Sequence, residues 1–275
     1  MTDERAGGLG GGGGHGHGFY NRARMGLWGP GMHTEILYMP DIEANYIREF
    51  EAKVVAKGTD HVVLDRTAFY AEGGGQPSDT GTISWDDGKG GTAFAKVLVV
   101  RKKGDITHHL EGPVPDVGTV VRGMLDWDRR WGHMRMHTSQ HILSAVIFAE
   151  KKASTVGNQI HADHSRVDFA PVDYTMADAG RIEAIVNDVF AKNAPVTISE
   201  TDRDVLEGKV DVRYVNISLI PASVRKLRTV VVGDVDLCPC AGTHVRNTSE
   251  IGRMKILRIE NKGKDRARIV YELVK

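Results

Sequence analysis

Two short groups of residues could do chemistry together. His137 and His141 stand four residues apart in a stretch with helical apolar spacing, and Cys240 precedes His244 by the same interval about a hundred residues later. On a helix an i, i+4 pair shares one face, so both rings can reach one ion. In the second group Gly242 permits the tight turn that would bring a thiolate and an imidazole together. Three imidazoles and one thiolate are a full donor set for one zinc ion. His133, one turn before His137, is a further possible donor. Cys238 competes with Cys240, and the interval to a histidine favours Cys240. A histidine pair at this spacing is more often an ordinary pair of surface or core histidines than a metal site, and only the second group sharpens the case. The Glu of a His-Glu-x-x-His protease is missing between the two helical histidines, which argues against that hydrolase class.

A third motif is Thr67-Ala68-Phe69-Tyr70-Ala71-Glu72-Gly73-Gly74-Gly75-Gln76-Pro77-Ser78-Asp79-Thr80-Gly81. Three consecutive glycines let a backbone approach something closely, and Gln76 offers both donors and an acceptor. The motif matches neither a Walker loop nor a dinucleotide fingerprint. It reads either as a barrel corner or as a loop that faces the metal ligands and closes over a substrate.

Composition bounds what these groups can belong to. The 275 residues suffice for two domains, and 41% apolar with 26% charged residues is the make-up of a soluble globular chain. No apolar run approaches the roughly 18 residues that span a bilayer, and the N-terminus lacks the basic-then-apolar order of a signal peptide, so the expected location is the cytoplasm. Cys238 and Cys240 are the only cysteines; a four-cysteine zinc site is excluded and any zinc must recruit histidines. The net charge is zero, but residues 245–275 hold nine Lys/Arg against four Asp/Glu. That local excess could follow a phosphate backbone, or be a solvated hairpin face.

The elements that must position these residues follow from periodicity. Residues 1–32, glycine-rich with His15 and His17, bury too little apolar surface to order, so a disordered tail is expected. Residues 33–125 read as a small β-barrel or sandwich, with strand-like runs at 53–57, 62–65, 94–100 and 120–125 and a short helix within 41–50. The pattern changes near Trp127, and 126–275 reads as an antiparallel sheet with helices on it. Helices are predicted over 133–151 and about 176–192, strands over 166–170, 196–200 and 226–232, and a final hairpin pairs 254–260 with 266–273. The fold class is therefore α+β.

In chain order, Phe69-Tyr70-Ala71-Glu72-Gly73-Gly74-Gly75-Gln76, His137-x-x-x-His141 and Cys240-x-Gly242-Thr243-His244 resemble the editing domain of alanyl-tRNA synthetase. More closely the chain is similar to the free-standing AlaX proteins of medium length, from about Thr34 to the end. Trp127–Ala145 and Cys240–Ile251 carry the likeness further. Ala241 departs from the Cys-Gly-Gly usual in the synthetases, and the loop before Arg166 differs in length. The resemblance implies trans-editing: hydrolysis of the ester of tRNA(Ala) mischarged with serine, in many members also glycine. It implies an N-terminal β-barrel-like domain and a C-terminal α/β editing domain holding Zn2+ on His137, His141, Cys240 and His244, with Gln159 as the active-site glutamine.

By their proximity to the ligands, Thr138, Ser139, Gln159 and Thr243 are candidates for reading the serine hydroxyl. Gly74, Gly75 and Gln76 would face substrate, and Arg129, Arg130, Arg253, Lys262, Lys264 and Arg266 would grip the tRNA. Two other functions fit the same residues: editing of seryl-tRNA(Thr), and a non-catalytic RNA-binding module in which zinc only holds the fold.

Overall fold

The structure is a computed structural model that describes residues 34–215 and 217–274. The tail expected over 1–32 lies outside the described residues.

Strands that alternate outward polar with inward apolar residues build the first half. They are β1 (Glu35–Ile36), β2 (Glu49–Lys57), β3 (His61–Leu64), β4 (Arg66–Thr67), β5 (Gly81–Asp86), β6 (Thr92–Lys103), β7 (Asp105–Glu111) and β8 (Val120–Leu125). β1 and β4 form a two-stranded parallel pair, and the other six close a barrel in the order β2-β3-β7-β6-β5-β8. In β2, Phe50, Ala52 and Val54 point in while Glu49, Glu51 and Lys53 point out. With Phe69, Ile83, Val97, Val100, Ile106 and Val121 they fill the barrel. A barrel was the expectation, and closure removes the exposed edges an open sheet would carry. The short helix expected within 41–50 is one 3-10 turn, Glu43–Tyr46, and Glu49 and Phe50 already belong to β2.

The second half contains α1 (Trp127–Lys151), β9 (Ser154–Ile160), β10 (His164–Ala170), α2 (Ala179–Ala191), β11 (Val196–Asp202), α3 (Arg203–Glu207), β12 (Lys226–Val232), β13 (Asp236–Pro239), β14 (Arg253–Asn261) and β15 (Ala267–Val274). Two antiparallel sheets result, β14-β15-β10-β9 and β11-β12-β13, where one was expected. α1 begins six residues before the predicted start at 133 because the Asp126 side chain accepts from the Arg129 N–H, and it ends where Lys152 turns left-handed at φ 57°. The stretch 176–178 is a 3-10 turn with a Thr175–Asp178 capping box, so α2 proper is shorter than predicted. α1 and α2 cover the four-stranded sheet through Met134, Ile142, Leu143, Ile147, Ile182 and Val186. Asn187 of α2 clamps β14, donating to Met254 O at 3.0 Å and accepting from Met254 N at 2.7 Å.

Arg130 joins the glycine motif to α1. It is fully buried, and its guanidinium donates to Asp79 Oδ2 (2.9 Å from Nε), Asn45 O (2.8 Å) and Ala68 O (2.5 Å). Asp79 Oδ2 also accepts from Tyr70 N at 2.7 Å. This corrects the expectation that Arg130 grips tRNA: a guanidinium with no exposed surface cannot meet a phosphate. A buried ion pair of this kind is held by its added hydrogen bonds and is costly to break.

Candidate metal centre and active site

α1 presents His137 and His141 on one face, and the segment after β13 brings Cys240 and His244 over them. The four donor atoms lie within 4.8 Å of one another and could hold one metal ion. Cys240 Sγ is 3.6 Å from His137 Nε2 and 3.3 Å from His244 Nε2. His133 is buried but outside this group, and Cys238 is not part of it either.

Each histidine is oriented by a partner on its other nitrogen. His137 Nδ1 lies 2.8 Å from Gln76 Oε1, His141 Nδ1 2.8 Å from Asp236 Oδ2, and His244 Nδ1 3.2 Å from Thr138 Oγ1. The amide and carboxylate oxygens only accept, and the Thr138 hydroxyl already donates to Met134 O at 2.9 Å. All three rings therefore carry their proton on Nδ1 and leave the Nε2 lone pair for the ion. Asp236 is itself held by the Tyr214 hydroxyl at 2.5 Å.

The charge distribution suits a cation. Burial pushes the Cys240 thiol up, but His137, His244 and His141 outweigh it and hold the group well below the ordinary thiol range, as a ligand requires. Burial lowers His141, yet the Cys240 thiolate and Asp236 raise it to about 10, so its Nε2 proton must be released when an ion takes that lone pair. His244 is pushed down to about 3, chiefly by burial.

Gly242 shows why the turn is built as it is. A Cβ there would fall 2.0 Å from Cε1 of His137, so any side chain would expel a ligand. The glycine motif docks on the same ring. Gln76, 1% exposed, accepts from His137 and from Thr243 N (3.2 Å) and donates to Thr243 Oγ1 (2.9 Å). Gly75, at φ 85°, sits where a Cβ would come 2.7 Å from the Asn158 amide, and Gly74 O accepts from Asn158 Nδ2 at 3.2 Å.

A cavity of about 250 Å³ opens onto the ligands. Besides His137, His141 and Cys240 it is lined by Gln140, Ser144, Thr155, Asn158 and Tyr214, with Tyr70, Gly74 and Cys238 at its wall. A polar chain runs along it: Gln140 Nε2 donates to Ser144 Oγ at 3.0 Å, and Ser144 Oγ lies 2.8 Å from Thr155 Oγ1.

None of Thr138, Ser139, Gln159 and Thr243, the residues expected to act on substrate, lines this cavity. Gln159 is on the opposite face of β9 from Asn158, and its Oε1 accepts from Arg166 Nε at 2.9 Å. Thr138 and Thr243 are buried behind the ligands and act on their orientation. Ser139 packs against Tyr271, with their hydroxyls 2.9 Å apart. Gln76 likewise positions His137 and is not among the residues lining the cavity. Strand alternation explains the Gln159 displacement: a shift of one residue swaps faces. Gln140 and Ser144 were findable, because 137, 140, 141 and 144 form one helical face. Asp236, Thr155, Asn158 and Tyr214 had no local signal.

Of the basic residues, Arg129 is half-buried and donates to Ser78 O at 3.0 Å. Arg253, Lys262, Lys264 and Arg266 are exposed. The hairpin tip lies on one register line with the cavity: Asn261 pairs Ala267, Ala267 pairs Phe169, and Phe169 pairs Thr155. Three strand spacings put it roughly 14 Å from Thr155.

Comparisons with known proteins agree with this geometry. Residues 34–129 match the family model of class II (A) tRNA synthetases, and residues 227–270 match that of the second additional domain of threonyl and alanyl tRNA synthetases. Fold and site thus define a module related to those synthetases. The chain is 41% identical over 248 residues to the alanyl-tRNA editing protein AlaX-M of Methanosarcina barkeri, covering 88% of this chain and 99% of that protein. It is 39% identical to AlaX-L of Pyrococcus horikoshii, covering 82% of this chain and 55% of that protein. It is 37% identical to the alanine–tRNA ligase of Thermococcus kodakarensis, covering 86% of this chain and 25% of that protein. The chain belongs to the alanyl-tRNA editing protein family. Among the described residues no helix is long and apolar enough to cross a membrane.

Proposed function

We propose that this protein is an aminoacyl-tRNA hydrolase that removes serine from mischarged tRNA(Ala) at the 3′ ester, with Zn2+ on His137, His141, Cys240 and His244. The observation that carries this reading is the four-donor cluster opening directly onto a small, polar-walled cavity. The donor set suits zinc: a tetrahedral Zn2+ with one sulfur and three nitrogens has sulfur–nitrogen edges of roughly 3.5 Å. Two of the three such edges here, from Cys240 to His137 and to His244, are 3.6 and 3.3 Å. Bound there, zinc supplies a positive charge that polarises an oxygen or orients the aminoacyl end. We read the chain as a barrel domain (33–125) and an editing domain (126–275), with the cavity walled by both.

Hydrolysis breaks the acyl–oxygen bond. Water's hydroxyl goes to the acyl carbon, its proton to the departing ribose oxygen. Such esters are labile, so placing water and ester together does most of what is needed. The harder task is sparing alanine, which is smaller than serine and cannot be excluded by size. A pocket that hydrogen-bonds the serine hydroxyl leaves its own polar groups unpaired when alanine enters. The Gln140–Ser144–Thr155 chain and Asn158 are the groups placed to do this. A single-stranded CCA end enters such a pocket readily. Arg129, Arg253, Lys262, Lys264 and Arg266 would hold the tRNA body.

Deacylation of seryl-, glycyl- and alanyl-tRNA(Ala), with seryl-tRNA(Thr) alongside, tests the proposal against His141→Ala. Loss of serine, spared alanine and an inactive variant support it. Clearance of seryl-tRNA(Thr) alone would reassign the tRNA, and no deacylation by folded, zinc-loaded protein would leave an RNA-binding module.

A further inference from the structure

A second group of metal-capable side chains sits on the barrel surface, on elements separate from the centre described above. Asp60 lies in the turn between β2 and β3, His61 opens β3, and His109 stands opposite His61 on β7. Asp60 Oδ1 is 2.9 Å from His61 Nδ1, and Oδ2 is 3.2 Å from His109 Nδ1. The two rings, 5.2 Å apart between centroids, thus turn the same nitrogen toward one carboxylate. All three donors lie within 4.8 Å of one another.

The surroundings hold this arrangement. Gly58 N donates to His61 O and Leu110 N to Asp60 O, each at 2.8 Å, fixing the turn against β7. A Cβ at Gly58 would fall 2.2 Å from Cε1 of His61, so the glycine is what seats that ring. His109 Nε2 lies 3.3 Å from Thr107 Oγ1. The Asp60 oxygens only accept, so each ring donates its Nδ1 proton to them until an ion displaces it; His109 can then carry its proton on Nε2 toward Thr107, the outer-partner pattern seen at metal-bound histidines.

We infer that Asp60, His61 and His109 form a second metal site, which takes a borderline divalent cation and staples β3 to β7. Two imidazoles and one carboxylate suit Zn2+, Ni2+ or Cu2+ better than Mg2+ or Ca2+. The staple falls where it is useful: β3 is short, and its seam with β7 has three paired positions, of which His61–His109 is one. An ion bound only by the folded barrel stabilises it by mass action. The side chains are partly exposed, 31% for His61, 22% for His109 and 65% for Asp60, so the ion exchanges freely with solvent. This inference does not depend on the editing function.

The test uses the full chain with one equivalent of zinc already bound. His15→Ala and His17→Ala are included, because the glycine-rich segment carries imidazoles of its own. Further Zn2+ is titrated by calorimetry, and thermal midpoints are followed by circular dichroism with and without it. A second equivalent should bind and raise the midpoint. His109→Ala, Asp60→Asn and Gly58→Ala should each weaken that binding by about tenfold or more and abolish the rise. Gly58→Ala separates a built site from loose donors, since it keeps every ligand but unseats His61. Circular dichroism before metal addition confirms that each variant is folded, and His61→Gln replaces any that is not. Absence of a second equivalent, or one that survives the ligand substitutions, overturns the inference.

Discussion

At the scale of single residues, the ligands are only as good as the groups behind them. Asp236 and Gln76 hold the Nδ1 protons of His141 and His137, and neither touches the cavity's contents. Asp236→Asn should weaken metal binding by on the order of 10- to 100-fold while the protein stays folded, measured by competition with a chelator. Unchanged affinity would mean that His141 is oriented by packing alone. Arg130 makes the opposite point. Sequence placed it with the tRNA-binding cations, yet it is a buried strut. Arg130→Ala should cost about 3–5 kcal/mol in urea unfolding, because Asp79 is left charged and unpaired. A near-neutral result would show that water enters and solvates Asp79. Residue type was legible here and residue environment was not, since two adjacent arginines at the start of α1 differ only in which way the helix turns them.

The elements carry the next level of the argument. The glycine loop is pressed against β9, with Gly75 at positive φ and Asn158 filling the space where its side chain would be. Gly75→Ala should lift the loop and lower kcat/KM for seryl-tRNA deacylation by on the order of 10- to 100-fold without unfolding the barrel. Wild-type activity would reduce the loop to a barrel corner. The β14–β15 hairpin tests the tRNA grip. Neutralising Lys262, Lys264 and Arg266 together should reduce the salt slope of tRNA affinity by up to about 2–3, with little effect on melting. An unchanged slope would return those charges to the solvated-face reading. Helix α1 and the hairpin were readable from periodicity. β5, β7, β9 and β13 were not: their mixed polar runs look like loops until their partners are known, which are two each for β5 and β7 and one each for the edge strands β9 and β13.

For the whole molecule, one contribution to acid stability comes from a histidine inside the barrel. His108 is fully buried in the barrel, with Nε2 2.8 Å from Thr67 Oγ1. Burial first, with a smaller push from His109, lowers it from 6.5 to about 4, against the opposing hydrogen bond to Val62. A histidine whose folded value is depressed contributes its stability above the unfolded value and loses it as pH falls through the folded one. The loss should run from about pH 6.5 down through pH 4. Across that window urea unfolding of wild type should fall relative to His108→Gln by up to about 3 kcal/mol. A gap that does not change with pH would mean that His108 takes up its proton as readily in the folded barrel as in the unfolded chain.

Taken alone, the sequence determined the donor types, their spacing, the barrel-then-helix order and the family likeness, because these depend on local periodicity and motif order. It could not determine which polar residues meet the substrate cavity. Gln159, Thr138 and Thr243 are near the ligands along the chain, yet Thr155, Asn158 and Tyr214 are the ones at the wall. That choice rests on strand face, on sheet register and on how β9 and the 211–215 loop pack against α1. Each is a property of contacts between distant segments, and nearness along the chain carries no information about which side of a strand faces in.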